Sequence, residues 1–141
     1  MIELRYPAKI WRDEEGYFQV RFPDLPGAIS YGDSLDHAKE MARECLSVML
    51  DGMLDSGLEI PSPRIEKGKN IYLIEPAPNI AAPILLRRAR EEAQMTLVEL
   101  ASRLGVTYQS VQRLERSGAN PSLRTLAKVA RALGRELHIA L

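Results

Sequence analysis

Thr96-Leu97-Val98-Glu99-Leu100-Ala101-Ser102-Arg103-Leu104-Gly105-Val106-Thr107-Tyr108-Gln109-Ser110-Val111-Gln112-Arg113-Leu114-Glu115-Arg116 reads as two short helices joined by a tight turn. Thr96 and Thr107 are N-cap residues, each placed ahead of a run whose apolar positions recur at helical spacing. Gly105 stops the first helix, where a left-handed residue favours glycine. Ala101 is small, as a close approach of the two helices requires, and Val106 and Val111 are expected to turn inward and fix the crossing angle. The outward face of the second helix is then free, and the major groove of a duplex is wide enough to admit it.

The helical pattern continues on both sides. Ile84–Ala93 forms a preceding helix, and after Ser117-Gly118-Ala119-Asn120-Pro121, Ser122 caps a last one over Leu123–Leu133, closed by Gly134. Beyond it Glu136-Leu137-His138-Ile139-Ala140-Leu141 alternates as a strand does. A lone strand needs a partner, in this chain or in a second copy, and the dimeric reading of palindromes favours the copy. Upstream, Glu75-Pro76-Ala77-Pro78-Asn79-Ile80-Ala81-Ala82-Pro83 holds three prolines in nine residues. Prolines lack a backbone donor and push their predecessors to extended conformations, so neither helix nor central strand is expected to cross this stretch. The chain therefore divides into a domain over 1–75, a Pro-rich linker over 76–83 and a helical domain over 84–141.

The first domain reads as strands, a long helix and a returning strand. Ile2, Leu4 and Tyr6 share one parity, and Ala8-Lys9-Ile10-Trp11 stays extended after Pro7. Arg12-Asp13-Glu14-Glu15-Gly16 suits a hairpin turn, Tyr17–Phe22 the second strand, and Ala28-Ile29-Ser30-Tyr31 a third after the break at Pro23–Gly27. Asp33 or Ser34 caps the helix, with Asp36 in its first turn. Leu35, Ala38, Ala42, Cys45, Leu46, Met49, Leu50 and Met53 recur at helical spacing until Gly57, and Ile71-Tyr72-Leu73-Ile74 is the fourth strand. The fold class is α+β: a small sheet-plus-helix domain followed by an all-α one.

Composition narrows the function. With 45% hydrophobic and 27% charged residues, the chain is an ordinary globular one. A single cysteine excludes an internal disulfide, and two distant histidines, His37 and His138, argue against a metal site. No apolar run approaches the about 18 residues of a membrane span, and Met1-Ile2-Glu3-Leu4-Arg5 lacks a signal peptide's order, so the expected address is cytoplasmic, with no membrane partner. The net charge of zero hides an asymmetry: residues 1–70 carry nine basic and thirteen acidic residues, and residues 71–141 carry ten and six. Opposite signs on the two halves point to modules with different partners.

The helical segment resembles the Cro/C1-type (XRE) helix-turn-helix family, on Thr96–Ala101, Leu104-Gly105-Val106-Thr107, Val111, Leu114-Glu115, Asn120-Pro121-Ser122-Leu123 and Leu126. It departs from the pattern at Leu97, where the family often has a phosphate-contacting Gln. The resemblance makes Tyr108, Gln109, Gln112 and Arg113 candidates for base-edge contact, since Gln pairs bidentately with adenine and Arg with guanine. It makes Ser110, Arg116, Asn120, Ser122 and the backbone at Thr96 candidates for phosphate contact, which orients a domain without reading sequence.

The first domain resembles the HicB antitoxin family. The residues are Tyr6-Pro7-Ala8, Asp13, Gly16-Tyr17, Val20, Phe22-Pro23-Asp24-Leu25-Pro26-Gly27, Gly32-Asp33-Ser34, Ala38 through Leu46, and Ile60-Pro61-Ser62-Pro63. The resemblance implies a partial ribonuclease-H-like fold without catalytic activity or cofactor. It also implies a HicA-like toxin partner, an mRNA interferase, with the attached helix-turn-helix repressing the operon as a homodimer or higher assembly. A domain carrying excess negative charge suits a toxin that must hold phosphates. Two other readings stand beside it. One is a repressor whose N-terminal domain senses a small ligand. The other is a metal-dependent nuclease using Asp13, Glu14, Glu15, Asp24 and Asp33, although Asp13–Glu15 read as a solvated turn and Asp33 as a cap. Cys45, on the apolar helix face, is expected to be a buried structural thiol. Trp11 and Tyr17 are expected to pack at the hairpin rather than to meet a toxin.

Overall fold

In the computed structural model, which describes residues 3–64 and 66–141, β1 (Tyr6–Arg12) turns into β2 (Phe18–Arg21), and β3 (Ile29–Gly32) returns beside β2. Helix α1 (Leu35–Asp55) follows, and β4 (Ile71–Ile74) joins the free side of β1. The sheet order is β3-β2-β1-β4, antiparallel throughout. Tyr6, Ala8 and Ile10 alternate inward along β1 with Val20 from β2, and α1 covers this face with Ala38, Ala42, Leu46 and Leu50. Burying each large aliphatic side chain contributes about 1.5–3 kcal/mol.

The ladder begins at Tyr6, whose partner Ile74 is the last residue of β4. Leu4 keeps the expected parity and is buried, but it lies outside the strand. Ile2 lies outside the described residues. The hairpin is closed by Asp13, whose carboxylate accepts the amides of Glu15 and Tyr17, each at 2.9 Å, and Gln19 Nε2 at 2.8 Å. These bonds, Gln19 first, hold the carboxyl below its ordinary pKa. Asp24 is a clamp, taking Arg64 Nε at 2.6 Å and the Arg64 amide at 3.1 Å. Tyr6 Oη donates to the Pro61 carbonyl at 2.7 Å. Of the two candidate caps for α1, Ser34 is the one used, accepting the His37 amide.

The stretch expected to be a non-helical linker is largely helical, since α2 runs Pro78–Glu92. Proline is excluded from a helix only where its missing N–H is needed. Pro78 takes the first position, where that donor has no intrahelical partner. Pro83, inside the helix, forgoes one bond, to the Asn79 carbonyl. The Ala77 amide, just ahead of the helix, donates to Ser47 Oγ at 2.9 Å. The chain forms two compact units, Glu3–Ile80 and Ala81–Leu141.

In the second unit α3 (Leu97–Leu104), α4 (Tyr108–Leu114) and α5 (Leu123–Ala132) are capped by Thr96, Thr107 and Ser122. Its core joins Ala89, Met95, Leu100, Ala101, Val111, Val129 and Leu133. Helix α4 ends at Leu114, two residues before the expected Arg116. Val106 does not turn inward: it is 47% exposed. Gly105, at φ 67°, ends α3 in a left-handed cap in which the Val106 amide returns to the Ala101 carbonyl. That turn points the chain outward before α4 begins. Residues 136–141 form no strand with the described residues, and Leu137, Ile139 and Leu141 are exposed.

Gly32 marks the closest approach of β3 to α1. A Cβ there would overlap the backbone of His37 and Ala38. Gly32→Ala is therefore expected to destabilise the first unit by about 1–3 kcal/mol, measured by urea unfolding; an unchanged midpoint would contradict the packing.

Candidate nucleic-acid interface

Helix α4 holds only seven residues, too few to persist alone in water. Its N-terminus is fixed by Thr107, whose Oγ1 accepts the Ser110 amide at 3.2 Å. Its back is held by fully buried Val111 and half-buried Leu114. Opposite them Tyr108, Gln109, Gln112 and Arg113 share an arc of about 140° at helical spacing. Tyr108, Gln109 and Arg113 are exposed and Gln112 is half-buried. All four base-contact candidates are thus brought together on one outward face, with donors and acceptors suited to base edges.

The phosphate candidates fall into two kinds. Arg116 and Asn120 are exposed in the loop after α4. The hydroxyls of Thr96, Ser110 and Ser122 are engaged in helix caps: Thr96 with the Glu99 amide, Ser110 with Thr107 Oγ1, Ser122 with the Thr125 amide. All three stand in the first turn or cap of a helix, the end whose partial positive charge favours an anion. Arg124, Lys128 and Arg131 on α5 are also exposed, with no ion pair among the described residues. They were not among the expected contacts, although their spacing of four and three residues is the helical signal for a common cationic face.

What orients α4 is a pair that sequence spacing does not disclose. Arg90 Nε meets Glu115 Oε2 at 2.7 Å and its second nitrogen meets Oε1 at 2.9 Å. Arg90 also donates to the Met95 carbonyl at 2.8 Å. The two side chains are 12% and 9% exposed, so this bidentate bridge ties the end of α2 to the end of α4 out of bulk water. The Glu115 hydrogen bonds, ahead of its charge, hold the guanidinium above its ordinary pKa. Elsewhere Arg103 donates to the Ala132 carbonyl at 3.1 Å, and Arg135 meets Glu92 at 2.6 Å.

The nuclease candidates do not converge. Asp13 closes the hairpin, Asp24 is clamped by Arg64, and Asp33 lies 3.7 Å from His37. Among the described residues no group of three His, Cys, Asp or Glu is placed to hold a metal ion. No helix among them is long and apolar enough to cross a membrane. Cys45 is half-buried rather than buried, its Sγ 3.7 Å from the Ile29 carbonyl, and burial raises its pKa. Tyr17 packs edge-on against Tyr31, and Lys9 and Arg21 lie over the half-buried Trp11 ring.

Comparison with known proteins follows the two units. A family model described as a helix-turn-helix matches residues 86–139. One described as a HicB-like antitoxin of bacterial toxin-antitoxin systems matches residues 6–71. Antitoxin HicB 2 of Photorhabdus laumondii is 33% identical over 136 residues, covering 96% of this chain and 95% of the relative. Antitoxin HicB of Escherichia coli is 29% identical over 138 residues, covering 98% and 99%. The solved Burkholderia pseudomallei antitoxin HicB aligns with a TM-score of 0.48 at 16% identity, over 72% of this chain and 96% of that one.

Removing Arg90 leaves Glu115 mostly buried and unpaired. Arg90→Ala is expected to destabilise the second unit by about 3 kcal/mol, and Arg90→Met with Glu115→Leu to recover most of that loss. Thermal unfolding of both variants decides it: equal melting points for Arg90→Ala and wild type would show the bridge to be idle.

Proposed function

The chain belongs to the HicB antitoxin family, and from that premise we propose that it is the antitoxin of a type II HicAB-like system. The first unit covers a HicA-like mRNA interferase, and the helix-turn-helix represses the operon encoding both by binding operator DNA. Carrying this reading is the outward arc of Tyr108, Gln109, Gln112 and Arg113 on a capped helix held from behind. It sits in a chain related to HicB antitoxins over nearly its whole length. The charge asymmetry supports the division of labour, with residues 1–75 facing a cationic toxin and residues 84–141 facing phosphates.

Base reading falls to Tyr108, Gln109, Gln112 and Arg113. Thr96, Ser110, Arg116, Asn120 and Ser122 position the domain on the backbone. The protein acts in the cytoplasm, as a homodimer whose two α4 helices read half-sites one helical turn apart. The exposed, alternating Leu137, Ile139 and Leu141 support pairing of the C-terminal segments of two copies. No catalytic role is assigned to any residue.

Arg113→Ala is expected to weaken operator binding by about 1–3 kcal/mol with nonspecific binding retained. Arg116→Ala is expected to lower the salt slope by about one without relaxing specificity. Titrations of operator and scrambled duplex at several salt concentrations separate the two roles, and an unchanged Arg113→Ala affinity removes it from the readers. For neutralisation, the full chain is co-expressed with the product of the short reading frame beside its gene. Restored growth with co-purification is the expected result. Persistent arrest with soluble antitoxin would favour a ligand-responsive repressor instead.

A further inference from the structure

Helix α1 buries one face on the sheet and leaves a second apolar strip open to water. Met41, Cys45, Val48, Met49 and Met53 line a groove of about 590 Å³ beside the edge strand β3, with Leu58 at one end. Val48 is 69% exposed and Leu58 57% exposed. Methionines in such a surface adjust to an incoming shape at little cost, as adaptable helix-binding grooves require. Glu40, Glu44, Asp51 and Asp55 recur at four-, seven- and four-residue spacing and form an acidic stripe along one flank. Among the described residues no cation lies within ion-pair distance of Glu40, Glu44 or Asp55.

Gly52 is the second observation. It sits inside α1, where glycine costs about 0.5–1 kcal/mol relative to alanine. It lines the groove, and among the described residues nothing outside its own helix and chain neighbours lies within 4 Å of where its Cβ would be. Packing among the described residues gives no reason for this glycine. An occupant that approaches the α1 backbone from outside does.

We propose that this groove is the docking site for a basic amphipathic helix of the toxin, its apolar side on the methionines and its cations along the Glu40–Asp55 stripe. The inference rests on the antitoxin reading and adds the surface and the partner's chemistry. A second copy of this chain fits poorly, because its own acidic stripe would meet this one. A small ligand fits poorly too, because the groove is open along its length and offers few convergent polar groups.

Gly52→Leu provides the test, since it fills the groove while improving helix propensity. The full-length variant is expected to melt at a higher temperature than wild type, yet to bind the neighbouring reading frame's product at least about tenfold more weakly. Glu40→Lys/Glu44→Lys/Asp55→Lys should weaken binding similarly, and Leu73→Lys, on the opposite sheet face, by less than about twofold. A fluorescent amphipathic Leu/Lys helix serves as an independent probe, with a Leu/Glu helix as its control. Wild-type binding that survives Gly52→Leu and the charge reversal overturns the docking site and leaves the antitoxin reading intact. Gly52-dependent capture of the Leu/Lys helix without any binding of the neighbour's product supports the groove chemistry and overturns the toxin as its occupant. Failure of both probes on the wild-type chain overturns the proposal.

Discussion

A seven-residue helix cannot hold its own shape, and the second unit is organised around that constraint. Nucleating a helix fixes several residues for its first hydrogen bond, so α4 depends on what surrounds it. Thr107 supplies a cap at one end. Val111 and Leu114 bury the back against a core shared with α2, α3 and α5. The Arg90–Glu115 bridge holds the other end through two hydrogen bonds in fixed geometry. With its back and both ends restrained, the polar arc on its front is presented as a rigid surface. Discrimination between base pairs depends on such restraint, because a bidentate contact tolerates little error in the direction of approach.

The first unit solves a different problem. A four-stranded antiparallel sheet buries one face under α1, and small residues let the helix lie close. Ala38 and Ala42 serve this from the helix side and Gly32 from the strand side. Polar clamps tie the loops, Asp13 at the hairpin, Asp24 on Arg64 and Tyr6 on the Pro61 carbonyl, and the loop that carries Asp24 also buries Leu25 and Ala28. Of the carboxylates a nuclease would need, Asp13 and Asp24 are committed to these structural tasks.

The two units also differ in the sign of the charge they present. Four of the thirteen acidic residues of the first half lie on the groove flank of α1, while exposed arginines and a lysine lie on and after α4 and α5 in the second half. On the proposed function, a toxin that grips RNA and an operator that presents phosphates would carry opposite charges. A single surface would serve one of them poorly.

Local signals in the sequence were enough for the four strands of the first unit, for most of each helix, for the three threonine and serine caps of the second unit, and for the faces that alternate into the core; the alternation of residues 136–141 gave no strand. Capping and periodicity depend on residues within a few positions of one another, so they survive without knowledge of the fold. The proline-rich stretch misled, because proline's exclusion from a helix depends on where the first turn falls, and Pro78 stands in that first turn. Val106 misled because a left-handed Gly105 redirects the chain after α3. Tertiary structure alone decided the partnership of Arg90 with Glu115, the clamp of Asp24 on Arg64 and the groove beside β3. Each joins residues far apart in the chain, and no local pattern encodes which distant charges or apolar strips will meet once the backbone has turned.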